Sequence, residues 1–161
     1  MTTPTYSDNQ RKYWTKRPAN VLQYLTAEFY HPDFDYIRLV QNQYTDKTFD
    51  VDGTNEVFTA TSMKIPVVTS QSTDTTQAGS ILFGRIGSDV RQKLMMITPM
   101  GSINYPIQVT LRHYENGITA PIYERRLYAD KNGIAIGADN VSVKLSVNNP
   151  AKVLPTAKYF P

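Results

Sequence analysis

His31 and His113 are the first side chains to weigh for chemistry, because imidazole changes charge near neutral pH. Neither falls in an H-E-x-x-H or other metal-ligand spacing. A catalytic histidine also needs an orienting acid and a nucleophile beside it. His113 shares the phase of Ile107, Val109 and Leu111, which predicts a strand-end histidine with a hydrogen-bonded partner. His31 stands at a proline turn and is read the same way. The sequence has no G-x-S-x-G elbow. Gly84-Arg85-Ile86-Gly87-Ser88 lacks the Lys-Ser/Thr ending and the third-glycine spacing of nucleotide loops. It reads as a strand-to-helix connection. Asp50 to Glu56 gathers oxygen ligands, but its glycine and glutamate are misplaced for a calcium loop. A hairpin that needs positive φ at Gly53 accounts for it. Asp33 and Asp35 flank a turn. With no cysteine, a disulfide scaffold, a thiolate metal site and a cysteine nucleophile are excluded. The expectation is a protein that is not an enzyme and takes no metal or cofactor.

One basic cluster remains. Residues 1–20 hold Arg11, Lys12, Lys16 and Arg17 against Asp8 alone, so they carry the whole formal charge of +3. Tyr6, Tyr13 and Trp14 are interleaved with them. Cations bind phosphates and aromatics stack on bases, so Arg11, Lys12, Trp14, Lys16 and Arg17 could form a nucleic-acid-binding module. The other reading is a terminal arm that docks on its own domain or on a neighbour, with Tyr13 and Trp14 as contact residues. The lack of a second basic cluster favours docking, and no sequence-specific nucleic-acid binding is expected.

The elements that would position these residues are strands. At 161 residues the chain is large enough for one core, and 11% aromatic content is too high for disorder. Alternation of β-formers predicts strands over residues 21–30 and 36–43, with His31-Pro32-Asp33 between them. Asp52-Gly53 predicts a tight turn joining strands at 47–51 and 55–60, within a meander. Ile65-Pro66-Val67-Val68 reads as an edge, and the nine polar residues 69–77 read as a solvated loop before Ile81-Leu82-Phe83 restarts the sheet. Ser88 is a fair N-cap for one short helix over 89–97, with Val90, Leu94 and Ile97 on one stripe. Strands follow at 107–112 and 122–128, with turns at Asn116-Gly117 and at Lys131-Asn132-Gly133. Val141, Val143, Leu145 and Val147 give the cleanest alternation, and the phase places Ile107, Val109, Leu111, Val141, Val143 and Leu145 in the core.

The fold class expected is mainly β: an antiparallel β-barrel or sandwich-like domain over residues 21–147, with one short helix. An N-terminal arm (1–20) and a C-terminal segment (148–161) flank it. The latter carries Pro150, Pro155 and Pro161, which forbid a regular helix and predict an extended chain. Val153, Leu154, Tyr159 and Phe160 give it apolar surface, and Leu154, Tyr159 and Phe160 are candidate interface anchors. No run approaches ~18 continuous apolar residues, so no membrane span is expected. The opening residues lack a charged-then-apolar signal pattern.

This order of elements, with Ser80-Ile81-Leu82-Phe83 before the helix, Ile107 to Arg112 after it, and Lys158-Tyr159-Phe160-Pro161 at the end, resembles a family of small bacteriophage tail proteins. They are similar to the minor tail and tail-tip (L-type) proteins of long-tailed phages. The resemblance covers residues 20–161 and implies a β-barrel-like module in a ring at the distal end of a tail tube. It implies other tail proteins and further copies of the chain as partners, a place in the virion tail after synthesis in the host cytoplasm, and no activity. Relatives of the tip type can carry a cysteine-ligated iron–sulfur domain, which a chain without cysteine cannot share.

Overall fold

The computed structural model describes residues 21–66, 77–84, 92, 105–137 and 140–147. These form nine strands: β1 (Gln23–His31), β2 (Asp35–Gln41), β3 (Lys47–Val51), β4 (Thr54–Thr61), β5 (Met63–Lys64), β6 (Gln77–Phe83), β7 (Gln108–Glu115), β8 (Tyr123–Ile136) and β9 (Val141–Ser146). All belong to one sheet in the order β3-β4-β2-β1-β7-β8-β9-β6-β5. The protein is therefore mainly β, as the alternation predicts. The helix expected over 89–97 lies outside the described residues except for Gln92, and both terminal segments lie outside them entirely.

Local chemistry explains the turns. Asp52 (φ 51°) and Gly53 (φ 88°) both take positive φ, the pairing that a two-residue hairpin between right-twisted strands requires. At Gly79 (φ 89°), a β-carbon would stand 2.9 Å from the Pro66 ring, so glycine lets β6 pass against the segment after β5.

Three expectations need correction. The sheet is mixed rather than antiparallel, because β4 runs parallel to β2 through Leu39↔Thr59, Val40↔Ala60 and Gln41↔Thr61. Here β3 doubles back on β4 outside β2, instead of pairing between them as a meander would have it. Lys131-Asn132-Gly133 does not reverse the chain. β8 continues through it with a register shift: Ala129 to Ile134 is five steps on β8 against two on β9, so the surplus residues bulge. The reversal comes later, where the Gly137 amide donates to the Asn140 carbonyl at 2.8 Å. Finally, Gln77 belongs to β6 rather than to the polar loop before it.

The sheet coils strongly. β1 and β6 are four places apart in the strand order, which would separate them by about 19 Å in a flat sheet. Yet the Phe29 and Phe83 rings lie 5.9 Å apart. Inside the coil is an apolar cluster that includes Ile37, Leu39, Ile81, Leu127 and all six residues assigned to the core by phase.

Side chains reach the backbone at both terminal strands. The Met63 amide donates to Asn42 Oδ1 (3.3 Å) and the Ile65 amide to Gln41 Oε1 (3.2 Å), so the end of β2 satisfies β5. On β3, the Asp50 carbonyl accepts a hydrogen bond from the Tyr114 hydroxyl at 2.9 Å. Unpaired backbone groups on an edge invite further strands, and these contacts occupy several of them.

Candidate functional site: the outer face of the sheet

Opposite the core, β2, β1, β7 and β8 present a second face made of charge and aromatic rings. Register builds it. Glu28 pairs across from Arg38 on one side and Thr110 on the other, while Arg112 lies opposite Glu124. The side chains then link diagonally. Arg38 Nε donates to Glu28 Oε2 at 2.7 Å, and Arg112 Nη1 to Glu28 Oε1 at 3.1 Å. Arg112 Nε reaches Glu124 Oε2 at 2.8 Å, and Arg126 Nε reaches Glu124 Oε1 at 3.2 Å. Arg38 also meets Glu56 on β4 at 3.1 Å. Three arginines and three glutamates thus alternate across five strands with no net charge. Glu28 and Arg112 are buried, so each needs its partners to offset lost hydration. Burial alone would lower the Arg112 pKa, but the Glu124 and Glu28 carboxylates outweigh it and hold the guanidinium above its ordinary range.

The β3–β4 hairpin covers the lower half of this face. Its Phe49 stacks on Tyr114 of β7 at 4.3 Å and tilts against Tyr24 of β1 at 5.4 Å. Phe58 meets Phe49 at 5.5 Å and Tyr114 at 6.3 Å. Tyr114 is wholly buried there, and desolvation pushes its phenol well above the usual tyrosine range. The upper half is more exposed. Tyr36 (48% exposed) packs on Tyr30 at 4.7 Å, with the Arg38 guanidinium 4.4 Å from its ring centre. Beyond them lie exposed Gln108, half-buried Tyr128 and Arg126, which is 74% exposed.

The histidines are not part of this face. His31 is buried as the last residue of β1, its Nδ1 accepting the Asp33 amide at 3.1 Å and its ring stacked on Phe34 at 5.5 Å. That is the satisfied turn histidine expected for Nδ1, although Nε2 finds no hydrogen-bond partner among the described residues. His113 is half-buried near the end of β7. Among the described residues, no group of three or more His, Asp or Glu side chains is placed to hold a metal ion. No helix among them is long and apolar enough to cross a membrane.

Arg11, Lys12, Tyr13, Trp14, Lys16, Arg17, Leu154, Tyr159 and Phe160 lie outside the described residues. Sequence reasoning does not single out Glu28, Arg38, Arg112 and Glu124, nor Tyr30, Tyr36 and Tyr128. A signal exists: each sits in the polar phase of its strand, and opposite charges recur on successive strands. Seeing it requires the correct pairing of those strands. No protein-family model matches the chain, and no curated protein matches it.

Proposed function

We propose that the chain is a structural subunit of a bacteriophage tail, at the tail tip or the distal end of the tail tube, forming or joining a ring with neighbouring tail proteins. The observation that carries this reading is the coiled nine-stranded sheet, which supplies the strands among the elements that the resemblance quotes; the helix and the closing Lys158-Tyr159-Phe160-Pro161 lie outside the described residues. The finer form of the proposal is a barrel-like module. Only Ser62 separates β4, which pairs with β2, from β5, which pairs with β6, so one stretch of chain bridges the seam between them. A sheet with partly occupied edges and an outer face linked by ion pairs is a stiff unit, suited to repeated packing in a ring. In this reading the chain takes no cofactor and performs no catalysis. Its contacts run through the outer face and through the arms bearing Tyr13, Trp14, Leu154, Tyr159 and Phe160.

Mass spectrometry and antibody labelling of purified virions test it. The expected result is the protein at the distal end of the tail, and its absence from purified virions overturns the reading. A salt titration with oligonucleotides addresses the basic N-terminal arm. Phosphate binding that weakens steeply with salt would make the chain a nucleic-acid-binding module instead.

A further inference from the structure

The turn after β7 carries chemistry of its own. Asn116 and Gly117 are both exposed, and the turn closes where the Ile118 amide donates to the Glu115 carbonyl at 3.2 Å. Gly117 has φ 80°, and a β-carbon there would meet nothing within 4 Å, so the backbone beside Asn116 is sterically open. Among the described residues the Gly117 amide donates to no acceptor. Asn116 also fastens the start of the domain. Its Oδ1 accepts the Leu22 amide at 3.2 Å, and its own amide donates to the Leu22 carbonyl at 3.1 Å. These two bonds extend the β1–β7 pairing one step beyond Gln23↔Glu115.

An asparagine followed by an uncommitted main-chain amide can cyclise. A base in solvent takes the Gly117 amide proton, and the nitrogen attacks Asn116 Cγ. The N–Cγ bond forms, the Cγ–Nδ2 bond breaks, and Nδ2 leaves with a solvent proton as ammonia. Water then opens the imide at either carbonyl, giving aspartate or isoaspartate, with no change of oxidation state. Negative charge collects on Oδ1 during the attack, and the Leu22 amide already donates to that atom. The contact that fastens Leu22 is therefore also placed to lower the barrier. Isoaspartate routes the main chain through Cβ and Cγ. A backbone lengthened in this way cannot keep both bonds to Leu22.

We propose that Asn116 is a self-modification site: it deamidates by attack of the Gly117 amide, assisted by Leu22, and its conversion to isoaspartate unfastens the start of β1 from β7. This inference does not depend on the tail reading. The full chain is held folded in mildly alkaline buffer and sampled by peptide mapping, which separates Asn116 from the other Asn-Gly pair, Asn132-Gly133. Isoaspartate should accumulate at position 116, and the Leu22 amide of the converted protein should exchange hydrogen faster. Leu22 precedes β1, so Leu22→Pro removes the donor to Oδ1 without entering a strand. It should slow conversion roughly tenfold, the rate equivalent of one hydrogen bond to a developing charge. In urea, where the contact is lost, variant and wild type should convert alike. Asn116→Asp keeps the acceptor and the main-chain length, so its Leu22 exchange should match that of the unconverted protein. An Asn116 that stays intact in the folded chain but converts in urea overturns the proposal. So does a Leu22→Pro protein that converts as fast as wild type or faster, and so does unchanged Leu22 exchange after conversion.

Discussion

On β7, Val109 and Leu111 point into an apolar core, while Arg112 and Tyr114 are as deeply buried on the opposite side. The same strand thus serves two interiors of different chemistry. The inner one is built on an apolar cluster and is held by non-directional burial and close packing. The outer one is held by directed bonds: Arg112 to Glu28 and Glu124, and the Tyr114 hydroxyl to the Asp50 carbonyl. An apolar interior accepts exchanges that conserve volume, but it does not by itself name one pairing. Charges that must meet a partner one strand away do name it. A one-residue slip of β7 would place Arg112 in the core and Leu111 among the ions, so the two faces together fix the register.

The contrast can be broken most severely from the inside. Val143 is fully buried on the core side of β9. Val143→Asp should cost about 3 kcal/mol or more, because the apolar cluster around it offers the carboxylate no cation. Chemical denaturation or expression in inclusion bodies would register the loss. A soluble variant with an unchanged melting temperature contradicts the core assignment.

The outer face should respond differently. Arg112→Met removes a partner from both Glu28 and Glu124 and should cost about 3 kcal/mol. Glu28→Gln should also destabilise, though less, because Arg112 keeps Glu124 and Arg38 keeps Glu56. Together the two changes should cost less than their separate effects combined, with a coupling of roughly 0.5–3 kcal/mol. A double-mutant cycle with no coupling would mean that the ions act singly rather than as a network.

Much of the inner face is legible in the sequence alone. Val141, Val143 and Leu145 alternate with Ser142, Lys144 and Ser146, and Ile107, Val109 and Leu111 repeat the pattern, because a two-residue period reports directly which face is buried. The Asp52-Gly53 turn is legible because positive φ leaves few choices of residue. The outer face is not. Glu28 and Arg112 are 84 residues apart and become neighbours only when β1 pairs with β7, a long-range choice that alternation does not encode. Hidden for the same reason is the parallel pairing of β2 with β4, since the strand pattern is identical for either direction. Lys131-Asn132-Gly133 misleads because turn-forming residues also suit a bulge.

The smallest effect belongs to Tyr114, where the two interiors meet the hairpin. Its hydroxyl ties β7 to β3 through one hydrogen bond, so Tyr114→Phe should cost about 1 kcal/mol at neutral pH while the ring keeps its stacking on Phe49. The same residue should give the wild type an alkaline limit. Burial raises the folded-state pKa of the phenol above its value in the unfolded chain, which is near 10. Below that pH both states hold the proton and the contribution is complete. Above it the unfolded chain releases a proton that the folded one keeps, so stability falls as pH rises, by up to about 1.4 kcal/mol per pH unit. Tyr114→Phe removes this slope. Urea melts of both proteins at pH 8 and pH 11 should therefore converge, the variant being weaker at pH 8 and nearly matched at pH 11. A constant gap between them would show that the Tyr114 phenol ionises as readily in the folded protein as in the unfolded chain, and that the hairpin does not keep water from it.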